Sequence, residues 1–503
     1  MAESSGSTEP MSTAAVSGQR RIDAFAPYVA TAAAALVYSL LALRRVWELK
    51  AGAFDAGLLD NVIYKVSIGL GNVTGLTGEA HYAARPLVFV LGLPLYWVNS
   101  DLGYSGLLVM QAVSVAMVGL AAWLIADAIG LSRGRKYAAL LFVLASPAAY
   151  WAVITELHVT GLSMGLVALT IAGAYRRWSL TYYWILPVLA SMARIEIALT
   201  VIVVGILLWR VSRVHAVAAI VSGGVVAVVL VGLTLVVTAR GSSLGVHLNY
   251  LGVDSFTQLP MGVLRNPGTV IRELLDPMFL FSALMWLVTI GVVLPLRASR
   301  WFIIAIPTLL VAAIGSPAFA DVWFTHYWNY LLVAAGIAFV LSLSVWAFTD
   351  RVAVWLVVIV LVVAWVLPGT WFVGTRYPVI YPSASSDDQQ TAVVAASVSG
   401  ALSATSRMVL PGGHREWVYM FPNPFVCLTD QYAYFSLEGP VPDVIITDRG
   451  WEEDVEEADV ARLRRILAED YEVVDTFGTH TVRRIVPGAT PPRVAECQVL
   501  NLG

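Results

Sequence analysis

Residues 216–238 read AVAAIVSGGVVAVVLVGLTLVVT, a stretch without one charged side chain. Wound as an α-helix at about 1.5 Å per residue it is about 34 Å long, enough to cross the roughly 30 Å hydrocarbon layer of a bilayer. A helix pairs its backbone N–H and C=O groups within the segment, which is what hydrocarbon demands of a chain that enters it. The remaining sequence has the same cast. Of 503 residues, 58% are hydrophobic and 13% are charged, and the mean hydropathy is +0.75. A soluble domain carries about 25% charged residues because its surface faces water. Half that share in so long a chain means that most of the surface faces lipid. The net charge of -3 singles out no partner, and nothing in the charge pattern points to nucleic acid.

Outward from that stretch, further apolar runs recur at about 27–43, 104–129, 137–154, 160–175, 279–296, 301–315, 328–348 and 352–370. Two shorter runs, about 182–193 and 196–209, are split by Arg194-Ile195-Glu196 and read as short helices meeting within the membrane or just below its outer surface. The sequence thus predicts a polytopic α-helical membrane protein of about eleven spans. Residues 1–26 read as a disordered tail and 27–370 as the transmembrane domain, with a long first outer loop at about 44–103. A secretory signal has a shorter apolar core and a cleavage site ahead of a soluble domain, so the first run is read as a retained helix. Orientation follows from basic residues in short loops. With the N-terminus in the cytoplasm, Arg20 and Arg21, Arg133, Arg135 and Lys136, Arg176 and Arg177, Arg210 and Arg213, Arg297 and Arg300, and Arg351 all fall inside. An odd number of spans in a plasma membrane then leaves residues 371–503 outside.

Those last residues change character. They hold Pro- and Gly-rich turns, strand-like runs at Trp417 to Met420 and Val444 to Ile446, and an amphipathic helix pattern from Val460 to Glu469, and so read as a small extracytoplasmic α/β domain. Both cysteines, Cys427 and Cys497, lie there. Outside the cytoplasm they either form a disulfide or remain two buried thiols.

Ionisable residues gather on the outer side. The first loop carries Asp55, Asp60, Glu79, His81 and Arg85; short loops carry Glu156 with His158 and Asp321 with His326; a further stretch, about 240–276, carries Arg240, His247, Arg265, Arg272 and Glu273. Residues 55–67 place Leu58, Leu59, Val62, Ile63 and Val66 in one stripe, predicting an amphipathic helix on the membrane surface. Asp55 stands where a carboxylate caps a helix, and Asp60 lies about 140° around a regular one, so the bland expectation is a cap and a solvated acid. Arg194 and Glu196 lie in an apolar hairpin, where a charge costs on the order of 2.5–3.5 kcal/mol and so pairs or faces a cavity. Arg194 is therefore either neutralised by Glu196 or Glu156, or set to bind an anionic head group. Glu156-Leu157-His158 with a separate Asp leaves room for a divalent metal, but the sequence has no HExxH and no close His pair. A P-loop, a Rossmann fingerprint and a nucleophile elbow are also absent from the sequence, so ATP-driven transport and serine hydrolysis have no support.

At these same residues the sequence resembles the bacterial and archaeal membrane family called domain of unknown function 2079. The family's F-D-x-G-x-x-D-Q signature is matched by Phe54 to Asn61, with Asn61 in place of Gln. Its H-F-x-P element corresponds loosely to His81 to Pro86, and its D-F-H-P element to Glu156-Leu157-His158-Val159, without the Pro. The K-E-D turn becomes Arg194-Ile195-Glu196. His326-Tyr327 opens a later span, Val418 to Pro422 follow Arg415, and Val444 to Asp448 resemble a strand ending in Asp, so the likeness runs from about 40 to 486. That family is similar to the GT-C glycosyltransferases, which place a catalytic acid in the first outer loop just after the first span, the position of Asp55.

The resemblance implies a GT-C-like fold and an inverting glycosyltransferase that uses a polyprenyl-phosphate-linked sugar at the outer membrane face. It implies Asp55 as general base, Arg194, His81, Arg85 and His158 as contacts for the donor phosphate, and Asp60, Glu156, Glu196 and His326 as residues that orient the acceptor. No cofactor is required. The partners implied are the lipid-linked sugar donor, membrane lipid, and an envelope glycan, lipid or protein as acceptor. Two other readings are a transporter that kept the shape without catalysis, and a membrane-anchored binding or sensing protein. A transporter of the inverted-repeat kind shows paired broken helices at midplane; this sequence has one such pair, at Arg194.

Overall fold

The computed structural model describes residues 13–71, 76, 85–154, 156–238, 251, 253, 259–289, 296–315, 328–366, 383–426 and 439–493. Helix α1 (Thr13–Trp47) begins ahead of the first apolar run. After a π-helical turn (Ala53–Gly57) come α2 (Leu58–Ser67), α3 (Pro86–Val98), α4 (Ser100–Ala128), α5 (Arg133–Leu144), α6 (Pro147–Ile154), α7 (Val159–Arg176), α8 (Leu180–Ser191), α9 (Ile195–Leu208) and α10 (Arg213–Thr238). Among the described residues five helices are long and apolar enough to cross a membrane, and several shorter apolar ones pack with them. The predicted run 137–154 is two helices, broken where Pro147 withholds its N–H; the Ser146 hydroxyl accepts from Ala148 N instead (3.2 Å). The region read as one long outer loop contains the apolar helix α3, too short to span a bilayer alone.

Helices α4 and α7 form the centre and run parallel. Ser114 on α4 donates to Leu162 O (2.8 Å) and accepts from Gly165 N (2.9 Å), while Asp127 at the far end pairs with Arg176. Contact this close needs glycine: a Cβ on Gly165 would lie 2.4 Å from Ser114 O. α1 covers α4 on one side, and the α8–α9 hairpin turns at Arg194, at the same end of the bundle as the start of α7.

Beyond α10 the described helices are α11 (Leu259–Arg265), α12 (Pro267–Leu274), α13 (Pro277–Thr289), a 3-10 segment (Leu296–Ala305), α14 (Ile306–Gly315), α15 (Tyr330–Leu343) and α16 (Asp350–Ala364). Arg135 fastens the end of the bundle away from Arg194, donating to Leu343 O (2.8 Å) and Trp346 O (3.0 Å) and pairing with Asp350 (3.6 Å).

The C-terminal part contains α17 (Ser386–Ser397), β1 (Leu402–Ala404), α18 (Ser406–Val409), β2 (Val418–Met420), β3 (Val444–Asp448), α19 (Glu457–Glu469), β4 (Tyr471–Phe477) and β5 (His480–Ile485). The sheet is mixed, in the order β2-β1-β3-β5-β4: β1 pairs parallel with β2 and β3, and β5 pairs antiparallel with β3 and β4. The strands at 418–420 and 444–448 and the helix at 457–469 fall where the sequence pattern puts them. Cys427 and Cys497 lie outside the described residues, so their pairing stays an expectation.

Gly165→Val adds atoms where no space exists between α4 and α7. We expect a loss of about 1–3 kcal/mol, read as a lowered unfolding temperature of the protein in detergent.

Candidate functional site

Glu156 is the hub of the site, at the break between α6 and α7. Its backbone φ is +98°, a region that costs an L-residue on the order of 1–3 kcal/mol and persists only where surroundings over-determine it. Gln111, fully buried on α4, does much of that: its amide donates to Ala152 O (3.0 Å) and Glu156 O (2.8 Å) and accepts from His158 N (2.7 Å). The Glu156 carboxylate in turn accepts from Arg45 (2.5 Å) and from the backbone N–H of Gly52 (3.0 Å). Arg45 also donates to Ile154 O (2.8 Å) and Lys50 O (3.2 Å). One acid thus ties the end of α1, the start of the Asp55 turn and the α6–α7 break into one body.

Arg194 caps α9 from an extended backbone, and its Nε lies 2.5 Å from Oε1 of Glu196, which is 1% exposed. The bland pairing expected for Arg194 is therefore present, with Glu196; Glu156 pairs with Arg45 instead. Leu87 N donates to Met192 O (3.0 Å), which brings the start of α3, and Arg85 before it, to the α8–α9 turn. His158 has Glu156, Arg85, Arg194 and Arg45 as electrostatic neighbours. Arg45, Arg85 and Arg194, from three separate elements, thus lie within electrostatic reach of one imidazole, with Glu156 as the acid among its neighbours.

The Asp55 turn faces the C-terminal domain. A π-helical turn admits one extra residue, and Gly57 N bonds back to Gly52 O (3.1 Å). The 140° separation of Asp55 from Asp60 assumed regular winding, which this turn does not have. Ser406 Oγ accepts from Ala53 N (3.0 Å), and a Cβ on Gly57 would lie 2.6 Å from Val409 Cγ1. Asp60 corrects the expectation of a solvated acid: it is 2% exposed and accepts from Tyr96 Oη (2.6 Å) and His414 Nε2 (3.2 Å). The apolar stripe of α2, expected on the membrane surface, is instead buried in the bundle through Leu58, Leu59, Val62 and Ile63, and its polar face meets protein rather than water: Asn61 donates to Gly413 O (2.6 Å) and Arg415 O (2.9 Å).

Of the predicted residues, the structure brings Arg194, Arg85, His158, Glu156 and Glu196 together. Asp55 contributes its backbone to the adjoining turn, and its side chain lies outside the described set. Asp60 belongs to the junction with the C-terminal domain. His81, Asp321 and His326 lie outside the described residues. Sequence reasoning missed Arg45, Gln111, Tyr96, Ser406 and His414. Arg45 carried a signal: with Arg44 it ends the first span, where the basic-inside pattern read from the sequence expects no cations. Among the described residues no three His, Cys, Asp or Glu side chains gather as metal ligands.

A family model described as a predicted membrane protein (DUF2079) matches residues 45–408, a shorter range than the resemblance traced from 40 to 486. No curated protein matches the sequence. The crystal structure of ArnT from Cupriavidus metallidurans bound to undecaprenyl phosphate is similar at a TM-score of 0.52 and 13% identity, over 93% of this chain and 99% of that one. The same protein in the apo state aligns over the same shares at a TM-score of 0.40 and 12% identity. At such identity the likeness is one of fold.

Because Glu156 is buried and Arg45 is only 12% exposed, removing one strands the other. We expect Glu156→Leu to cost about 3–5 kcal/mol and the double change Glu156→Leu with Arg45→Met to recover much of it, measured as a double-mutant cycle on thermal unfolding.

Proposed function

The chain belongs to the DUF2079 family of predicted membrane proteins, and from that premise we propose that it is an inverting glycosyltransferase using a polyprenyl-phosphate-linked sugar at the outer membrane face. One observation carries the proposal: Arg85, Arg194 and His158 converge beside a turn that holds Asp55, through a carboxylate the two share. The ArnT-like GT-C fold supports it, and ArnT is seen with undecaprenyl phosphate, a lipid of the donor's chemical class.

In this reading the sugar arrives already activated, by lateral diffusion in the membrane, so no nucleotide site is needed. Asp55 takes the proton from the acceptor hydroxyl as that oxygen attacks the anomeric carbon from the face opposite the phosphate. The bond from the anomeric carbon to the phosphate oxygen breaks, and the lipid phosphate leaves with the electron pair. Arg194 and Arg85, with His158 and His81, meet the charge that develops there; fixed donors in a water-poor site act most strongly on charge formed in the transition state. Glu156 becomes a positioning residue, because its carboxylate is occupied by Arg45 and Gly52. Glu196 orients Arg194. His326 remains assigned to the acceptor, whose identity is open among glycan, lipid and protein. The basic-inside pattern supports a cytoplasmic N-terminus with the site and C-terminal domain outside.

Purified protein in lipid nanodiscs, supplied with polyprenyl-phosphate sugars and envelope acceptors, tests the reading. We expect Asp55→Asn to lower kcat by about 10²–10⁴-fold, the usual worth of a general base. Transfer unchanged in that variant would sink the assignment. An alkaline phosphatase fused after residue 503 should be active in cells, and a cytoplasmic C-terminus would overturn the orientation.

A further inference from the structure

Besides Ser406 and Val409, the C-terminal domain meets the bundle through Gly413-His414-Arg415. His414 lies between two helices of the bundle, with Nε2 3.2 Å from Asp60 Oδ1 on α2 and Nδ1 3.3 Å from Asp101 Oδ1 at the start of α4. Its ring stacks on Tyr64 (centroids 4.7 Å apart, planes 12° apart) and meets Tyr96 edge-on at 6.1 Å. On either side, the amide of Asn61 holds the carbonyls of residues 413 and 415, and a Cβ on Gly413 would come 2.7 Å from Asp60 Oδ2. The charged and titratable groups facing the ring are thus Asp60, Tyr64, Tyr96 and Asp101, with Arg415 and Glu416 following it in its own segment.

A neutral imidazole has one N–H and one lone pair; an imidazolium has two N–H groups. With both ring nitrogens on carboxylates, the charged form satisfies both contacts and the neutral form turns a lone pair towards an anion. We propose that His414 is a positioning residue of the site: as an imidazolium it clamps the C-terminal domain onto α2, and with it the turn that carries Asp55, and on losing its proton it releases that clamp. The link to Asp55 runs through α2, which continues directly from the turn, and through Ser406 and Val409, which cover the turn from the same domain. The functional consequence rests on the reading of Asp55 as base; the clamp itself does not.

Burial alone would lower the proton affinity of His414, but hydrogen bonding and charge from Asp60, then Asp101, outweigh it and hold the ring above the ordinary histidine value. A group raised in the docked state contributes fully below its undocked value, near 6.5, and loses that contribution as pH rises through the docked one. The clamp therefore opens on the alkaline side.

Hydrogen exchange of the full-length protein in nanodiscs, corrected for the intrinsic pH dependence of exchange, reads the clamp without any substrate. Wild-type protein should lose about tenfold or more protection in residues 58–67 and 406–415 as pH rises through the transition. His414→Gln should show low protection without a transition. Asp101→Asn removes one acid at an exposed position and should move the transition to lower pH while leaving its size. The same pH course in all three proteins would overturn the clamp. The alkaline limb of transferase activity should shift with Asp101→Asn too; a shifted exchange transition with no transfer under any condition would remove the Asp55 reading and leave the clamp standing.

Discussion

A charge that enters hydrocarbon must bring its partner with it, and the site is organised by that rule. Glu156 and Arg45 are each too costly to bury alone, and together they lie where α1, the α6–α7 break and the Asp55 turn meet. The pair fixes these pieces because a buried carboxylate cannot let a donor go cheaply. The positive φ of Glu156 and the threefold grip of Gln111 follow: the chain accepts local strain so that the carboxylate can reach both Arg45 and Gly52.

The same rule divides the cations by task. Arg45 directs its guanidinium to a carboxylate and two backbone carbonyls, which makes it a fastener. Arg194 meets Glu196 through Nε, at the turn where α8 and α9 reverse. His158 has Arg85, Arg194 and Arg45 as electrostatic neighbours, of which Arg194 is paired with Glu196 and Arg45 with Glu156. An arrangement of this kind attracts an anion without carrying a large uncompensated charge when empty.

Much of the fold was legible because hydrocarbon leaves few options. Uncharged runs of spanning length, such as 216–238, can only be helices there, and the strands of the C-terminal domain show in Val418 to Met420 and Val444 to Asp448. α3 escaped because thirteen apolar residues with two prolines match no single template: too short for a span, too apolar for a loop. Around the α6–α7 break, the sequence pattern picked out Glu156, His158 and Arg194 by their unusual places, and the structure sets them near one another. Gln111 and His414 were not picked out, because nothing local distinguishes them. Their roles arise only when α4 is laid against the α6–α7 break, 41 to 47 residues away, and the tail returns over α2, 354 residues away, and such pairing has no periodic signature in one sequence.

Asp60 shows why a site cannot be read as a set of acids near a surface. In sequence it is a second carboxylate beside Asp55, equally fit to orient an acceptor or to face water. In the folded chain Tyr96 and His414 both bond to its Oδ1, and Gly413 packs against its Oδ2. Held in this way, the carboxylate attaches the C-terminal domain to α2. The bundle thus presents an acid to the C-terminal domain as well as to its own Arg45, and the turn carrying Asp55 is strung between these two anchor points.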